Sequence, residues 1–170
     1  VQTCALPICW QALLAARRLP YQSLAAGDSF KFGAAKIVIL WPDRSALLQP
    51  PGNSGRSLND RSIVMRLDLP GFSALLTGDV ESDVDARIAA KIKSPVDLLK
   101  SPHHGSATSA SRVLLDAARP RLSVVSSGKG NPYGHPAAST IERLRELGGG
   151  VERTDLDGTI VIDVSVDGKI

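Results

Sequence analysis

The sequence predicts a layered α/β domain. Three features carry that expectation: apolar runs of strand length at Phe72–Leu76, Val96–Leu99 and Leu122–Val125, helix-period stretches following each, and loops bearing Gly, Asp or His where the runs stop. Alternation of strand and helix produces sheets covered by helices. In an open α/β sheet the edge where strands end is where ligands bind. Chemistry is therefore expected at Thr77-Gly78-Asp79, at Ser101-Pro102-His103-His104-Gly105-Ser106 and at Gly134-His135-Pro136.

The totals set bounds. At 170 residues the chain is one domain or a large part of one, with 43% hydrophobic and 22% charged residues, an ordinary globular composition. Aromatics, at 4%, are too scarce for base stacking on exposed rings to be the main device. A formal charge of +3 allows an anionic partner without demanding one, since no run of basic residues accompanies it. Cys4 and Cys9 fit neither a zinc ribbon nor a disulfide framework. No stretch reaches the roughly 18 apolar residues of a membrane span, so a soluble chain is expected. Residues 1–9 have no structural period and no secretion-signal pattern; they read as irregular, foreign or fragment-boundary residues, with the domain portion at 10–170.

Taken in order, Trp10, Leu13, Leu14 and Ala16 suit a short amphipathic helix ended by Pro20. Phe30, Phe32 and Ile37–Leu40 predict a hairpin after the Gly27-Asp28 turn. Residues 42–60, rich in Pro, Gly, Ser and Asn, read as one long loop. Ile63, Met65, Leu67 and Leu69 alternate as one face of a strand, which Pro70-Gly71 turns into the central strand Phe72–Leu76. Val80, Val84, Ile88 and Ile92 recur every four residues and predict a helix packed on the sheet. Val113, Leu114, Ala117 and Ala118 define the next helix, stopped before Pro120. Pro136 suits the first turn of a helix burying Ile141, Leu144 and Leu147, and Gly148-Gly149-Gly150 ends it. Two closing strands, Val151–Arg153 and Thr159–Val164, are expected around Asp157-Gly158.

Asp79 can bridge metal ions from a strand end, or serve as an N-cap of the following helix. Adjacent histidines point in different directions, so one of His103 and His104 can ligate a metal while the other orients it or meets substrate; the alternative is a hydrogen-bonded loop histidine. Ser106 is a possible cap for the next helix. His135 can act as a further ligand or contact substrate. Gly128, Lys129, Gly130 and Asn131 can form a phosphate-binding concavity from backbone N–H groups and one lysine. Asn59 and Ser62 are candidates for supporting contacts.

Together, Ser57-Leu58-Asn59-Asp60-Arg61-Ser62, Leu76-Thr77-Gly78-Asp79, Pro102-His103-His104-Gly105-Ser106, Asn131-Pro132-Tyr133-Gly134-His135-Pro136 and Arg153-Thr154-Asp155 occur in an order that resembles the C-terminal metallo-β-lactamase-like domain of the ComEC/Rec2 competence proteins. The resemblance implies an α/β metallo-β-lactamase-like αββα sandwich, here mainly its second half. It implies a hydrolase, a nuclease acting on DNA, attached to a multi-spanning uptake channel of the bacterial cytoplasmic membrane, with this domain on the extracytoplasmic side. It further implies a divalent-metal site, two Zn or Mn ions in the complete domain. Asp79 matches the bridging carboxylate, the pair His103-His104 holds the late histidine ligand, and His135 matches the Gly-His-Pro histidine with a catalytic role. Asn59, Ser106, Lys129, Asn131 and Tyr133 are the residues expected to contact substrate. The family's early His-x-Asp-x-Asp-His motif is absent, since no histidine precedes His103. The chain is thus expected to be the later part of a catalytic domain, weakly active or inactive alone, with the remainder of the parent protein as its partner. A stand-alone hydrolase of another phosphoester and a non-catalytic DNA- or partner-binding module are the alternatives.

Overall fold

The computed structural model describes residues 12–48 and 54–165. Among them, one mixed sheet of seven strands runs in sequential order: β1 Ser29–Phe32, β2 Ala35–Trp41, β3 Val64–Leu69, β4 Phe72–Leu76, β5 Leu98–Lys100, β6 Leu122–Val125 and β7 Gly150–Arg153. The first four pair antiparallel, β1 with β2 and β3 with β4 through tight turns and β2 with β3 through the long connection 42–63, and β4 to β7 pair parallel through helical crossovers. That switch follows from connection length, because a parallel neighbour requires a crossover long enough to return the chain to the same end. β4 is central, as its uniformly apolar run predicts.

The helical elements are α1 at 12–16, α2 Arg44–Leu47, α3 Gly55–Asn59, α4 Ser82–Ala89, α5 Arg112–Ala118, α6 Ala138–Arg145 and α7 Thr154–Asp157. Asp83 and Asp85 occupy the first turn of α4 and Arg87 the last, matching the helix dipole. Val84 and Ile88 are its buried stripe. The carboxylate of Asp85, almost fully buried, accepts the N–H of Ser111, the N-cap of α5, and so joins the start of one helix to the flank of the other. Arg119 ends α5 in the left-handed conformation, returning its N–H to Leu115 O before Pro120.

Strand register divides the sheet into two unlike faces. Leu75 pairs with Leu99, Leu99 with Ser123 and Val125 with Arg153. On this side Val64, Leu75, Leu99 and Val125 form one core with Val84, Ile88, Leu114, Leu115, Ile141 and Leu144 of the helices. On the other side Ile39, Phe72 and Ala74 are buried, while Ile37, Met65, Leu67, Leu76, Leu98 and Val124 are only half-buried, and all lie outside that core. The sheet is therefore packed by helices on one face and apolar on both, the pattern of a sheet built to be covered twice.

Several expectations are corrected. Residues 42–60 are not one loop, since α2 and α3 lie within them; Ser54 starts α3 by accepting the N–H of Ser57. Pro136 is not in the first helical turn: α6 begins at Ala138, and Pro136 sits in a cis peptide with His135. Thr159–Val164 forms no ladder with the described strands. Its side chains still alternate between half-buried and exposed, and Val164 lies in a cleft with Ala34, Leu69 and Pro70. The expected helix at Trp10–Leu19 is present at 12–16, while Trp10 and the reading of residues 1–9 lie outside the described residues.

Candidate functional site

Because β4, β5 and β6 are parallel neighbours, their C-terminal ends open on one edge, and each delivers a candidate residue there. After β4, Gly78 adopts φ +56 with its Cα against Ser62, where an added Cβ would stand 2.6 Å from Ser62 Cβ. The tight approach lets Ser62 Oγ accept the N–H of Asp79 at 3.1 Å, the supporting contact expected of Ser62. Asp79 is not a helix cap; the N-cap of α4 is Glu81. Its carboxylate, 40% exposed, instead faces two cationic or imidazole groups: His104 Nε2 at 3.6 Å and Lys100 Nζ at 3.8 Å.

After β5, the chain turns through three consecutive left-handed residues, His103 (φ 44, ψ 48), His104 (φ 54, ψ 23) and Gly105 (φ 78). Two of them carry a Cβ, and each such residue costs about 1–2 kcal/mol. Strain of this kind persists where surroundings over-determine it, commonly at functional sites. The surroundings are visible: His103 N donates to Gly78 O, Gly105 O accepts from Ala137 N, Ser106 O accepts from Thr140 Oγ1, and Arg143 donates to the carbonyls of Ala107, Ser109 and Ala110.

The strained turn sends the two imidazoles to different partners. His104 Nδ1 lies 2.8 Å from Ser126 O; a carbonyl only accepts, so Nδ1 carries a proton, and in the neutral ring it is Nε2, on the side of Asp79, that has the lone pair. The Nε2···Oδ1 separation of 3.6 Å is too long for a hydrogen bond. His103 instead contacts Glu81: Nδ1 is 2.7 Å from Oε1, off the axis of an aligned hydrogen bond, and Nε2 is 3.5 Å from the Asn59 amide nitrogen. Glu81, 4% exposed, is itself held by Thr108 Oγ1 at 2.6 Å, and its N–H donates to Asp60 Oδ1 at 3.0 Å.

After β6, the glycine-rich loop folds around the side chain of Asn131. Its Oδ1 accepts the N–H groups of Tyr133 and His135, and its amide donates to Ser127 Oγ, Gly128 O and His135 O. Two of the loop's N–H groups, those of Tyr133 and His135, thus converge on Asn131, which acts as an internal staple of the loop. Thr154 pins the loop from β7's end, accepting from Ser127 N and donating to Ser127 O, both at 2.8 Å. Arg153 closes a bidentate pair with Asp155 beside it. His135 packs edge-on to His103, with ring centroids 5.4 Å apart, and stacks with Tyr133 at 22° and 6.1 Å. Burial, and then the neighbouring His103 and His104, hold the His135 imidazole below its usual pKa.

Three supporting residues escape a reading of the sequence: Glu81, Lys100 and Thr108. Glu81 reads as one more charge on an amphipathic helix, although it stands two residues past Asp79 and outside the helix itself. Lys100 ends a buried strand and donates to Gly78 O at 3.1 Å; burial lowers its pKa, against the opposing pull of Asp79. Ser106, expected to meet substrate or to cap α5, does not cap it: it is buried with its hydroxyl on Thr108, and Ser111 is the cap. Asn59 sits at the site beside Glu81 and His103, and Lys129 is exposed on the loop.

The donor set fits a divalent ion in part. Two metal–ligand bonds of about 2.0–2.2 Å meeting at a tetrahedral to trigonal angle span about 3.3–3.7 Å, which matches the gap between Asp79 Oδ1 and His104 Nε2. A ligating histidine normally donates its other N–H to a carbonyl or carboxylate, as His104 does to Ser126. Among the described residues no group of three or more His, Cys, Asp and Glu side chains converges on one point, so this pair matches two of the donors such an ion requires and no third joins it.

No protein-family model matches the chain. It is 36% identical over 121 residues to Recombination protein 2 of Haemophilus influenzae, an alignment covering 71% of this chain and 15% of that protein. It is 32% identical over 115 residues to ComE operon protein 3 of Bacillus subtilis, covering 67% and 15%. With Competence protein ComA of Neisseria gonorrhoeae it shares 35% identity over 115 residues, covering 66% and 17%. The chain therefore spans only 15 to 17% of the length of these curated relatives. Among solved structures, a protein of Parabacteroides distasonis described as a metal-dependent hydrolase overlaps 83% of this chain and 61% of its own, at 17% identity and a TM-score of 0.49. CmlA, a diiron β-hydroxylase from Streptomyces venezuelae, overlaps 81% of this chain and 34% of its own, at 18% identity and a TM-score of 0.49.

Proposed function

The chain is homologous to one segment of the ComEC/Rec2-type competence proteins, and from that premise we propose that it is the later part of a metallo-β-lactamase-like hydrolase domain acting on DNA phosphodiesters. The observation that carries the reading is the disposition of His104 and Asp79: one imidazole with its Nδ1 proton spent on a carbonyl and its Nε2 lone pair set 3.6 Å from a carboxylate oxygen. Asp79 and His104 would hold a divalent ion, Zn or Mn, with the rest of its coordination supplied by the remainder of the parent protein. When bound, such an ion lowers the pKa of a coordinated water and withdraws charge from a phosphoryl group.

The chain's own residues then divide by role. His104 is the ligand of the histidine pair. His103, lying against Glu81 and Asn59, shapes the neighbouring wall. Lys100 anchors the carbonyl of Gly78 and sets a positive charge beside Asp79. His135, kept neutral by burial and by the nearby imidazoles, borders the position of the reacting phosphate. With two ligands among the described residues, the chain alone is weakly active or inactive, and its partner is the remainder of a parent protein of the bacterial cytoplasmic membrane, with this domain on the extracytoplasmic side. No helix among the described residues is long and apolar enough to cross a membrane.

Calorimetric titration with Mn²⁺ and Zn²⁺ tests the assignment. Binding is expected to be lost in Asp79→Ala and in His104→Ala, and to survive, weakened, in His103→Ala. Loss in His103→Ala with retention in His104→Ala would overturn the ligand assignment, and robust nuclease activity of the chain alone would overturn its dependence on a partner.

A further inference from the structure

Beside the Asp79–His104 pair lies an open cavity of about 290 Å³, walled by the rings of His104, Tyr133 and His135 and floored by residues 126–128. Several of its polar groups are already taken. Ser126 O holds His104, Ser127 N and O both pair with Thr154, Ser127 Oγ donates to His135 O, and the Asn131 amide is spent on the loop. What the cavity still offers is mainly carbon surface and ring faces. At its rim Tyr133 is 79% exposed, yet its ring is not loose: it stacks on His135 at 22°, and its backbone N–H is tied to Asn131 Oδ1 at 3.1 Å.

We propose that this cavity is a nucleobase subsite, in which the base next to the scissile phosphate stacks on Tyr133 while the phosphate lies at Asp79 and His104. The inference rests on the phosphodiesterase reading above and adds to it the part of the substrate that is gripped. A held, exposed ring beside an apolar cavity selects a flat, weakly hydrated group, and every nucleobase has such a face. Because the lining is mainly apolar, stacking and not the reading of base edges selects the group: the subsite takes any base, purines better than pyrimidines in proportion to stacking area. The scarcity of aromatic residues excludes an extended stacking platform along the strand, and a single ring suffices for one subsite.

The experiment is an NMR titration of the full chain, in the presence of Mn²⁺-mimicking Mg²⁺ to avoid paramagnetic broadening, followed at the ring resonances of Tyr133 and His135. The probes are deoxyribose 5-phosphate, thymidine monophosphate and deoxyadenosine monophosphate. Both nucleotides are expected to shift the two rings and to bind at least about fivefold more tightly than the abasic sugar phosphate, the lower end of a single base–aromatic stack. Tyr133→Ala should reduce the nucleotides to the level of the sugar phosphate, and Tyr133→Phe should retain the advantage. Equal affinity for all three probes, or an equal loss for all three in Tyr133→Ala, would overturn the base subsite while leaving the phosphoester reading in place. Failure of every probe to bind would remove both. A thymidine tetranucleotide binding more tightly than the mononucleotide assigns the occupant to a strand; equal affinity would overturn that assignment.

Discussion

Replacing Gly105 with alanine isolates what holds the histidine turn together. Gly105 has φ +78, and an added Cβ would meet Pro136 Cβ at 2.7 Å, Val125 Cγ1 at 2.9 Å and Pro136 Cα at 3.3 Å. The left-handed conformation costs an alanine about 1–2 kcal/mol. Forcing a methyl against a rigid proline ring and a buried valine adds about 1–3 kcal/mol of overpacking. The sum is a destabilisation of about 2–5 kcal/mol. Gly130 supplies the control, since it has φ +65 and nothing within 4 Å of its added Cβ. Gly130→Ala therefore carries only the conformational cost, about 1–2 kcal/mol. Urea unfolding, followed by the fluorescence of the buried Trp41, measures both variants in one assay. With a slope of about 1–3 kcal/mol per molar urea, the extra loss in Gly105→Ala corresponds to a midpoint lower by about 1 M than that of Gly130→Ala. Equal losses at the two glycines would refute the view that Pro136 and Val125 clamp the turn from outside.

Three further outcomes follow from the same contacts. Glu81→Ala should cost about 1–3 kcal/mol by leaving partners of a buried carboxylate unpaired, and Thr108→Val a similar amount. Because both act on one network, their double mutant should fall short of additivity by about 1 kcal/mol in a denaturation cycle; strict additivity would separate them. Asp85 gives a pH dependence. Burial holds its pKa above the ordinary 3.8 against the hydrogen bonds from Ser111, so the folded state binds a proton more tightly than the unfolded one. Its contribution is then fully present below 3.8 and declines as pH rises through the raised folded value. Asp85→Asn lacks this slope, so its stability relative to the parent should improve from acid to neutral pH in urea titrations; parallel curves would contradict the buried-acid assignment. Thr154→Val removes both hydrogen bonds to Ser127. Amide exchange at Ser127 should quicken about tenfold or more, the equivalent of about 1.4 kcal/mol of local stability, with the core amides unchanged.

Much of this architecture is legible in the sequence because it rests on periodicity. The four-residue spacing of Val80, Val84 and Ile88 gives α4, and the runs Phe72–Leu76 and Leu122–Val125 give their strands without shift. Where the reading fails, tertiary context decides. Thr159–Val164 alternates like a strand, but alternation describes which side chains face inward and does not supply a partner for the backbone. Residues 42–60 read as loop from Pro, Gly and Ser, yet four- and five-residue helices fit between such residues once a cap such as Ser54 is in place.

The site shows the same division more sharply. Strand-end position alone brings Asp79, the histidine pair and the 126–135 loop to one edge, so the membership of the site follows from topology that the sequence already implies. Roles do not, because they depend on backbone conformation that composition leaves open. His103 and His104 are chemically identical neighbours; only consecutive left-handed dihedrals send one ring to Ser126 O and the other to Glu81. The same holds for Asn131, whose residue type suits a substrate contact but whose five hydrogen bonds all turn inward. Spending that amide inside the loop removes a polar group from the cavity and leaves the ring of Tyr133 standing at its rim. Asn131's hydrogen bonds thereby make the loop a braced mount for that aromatic face.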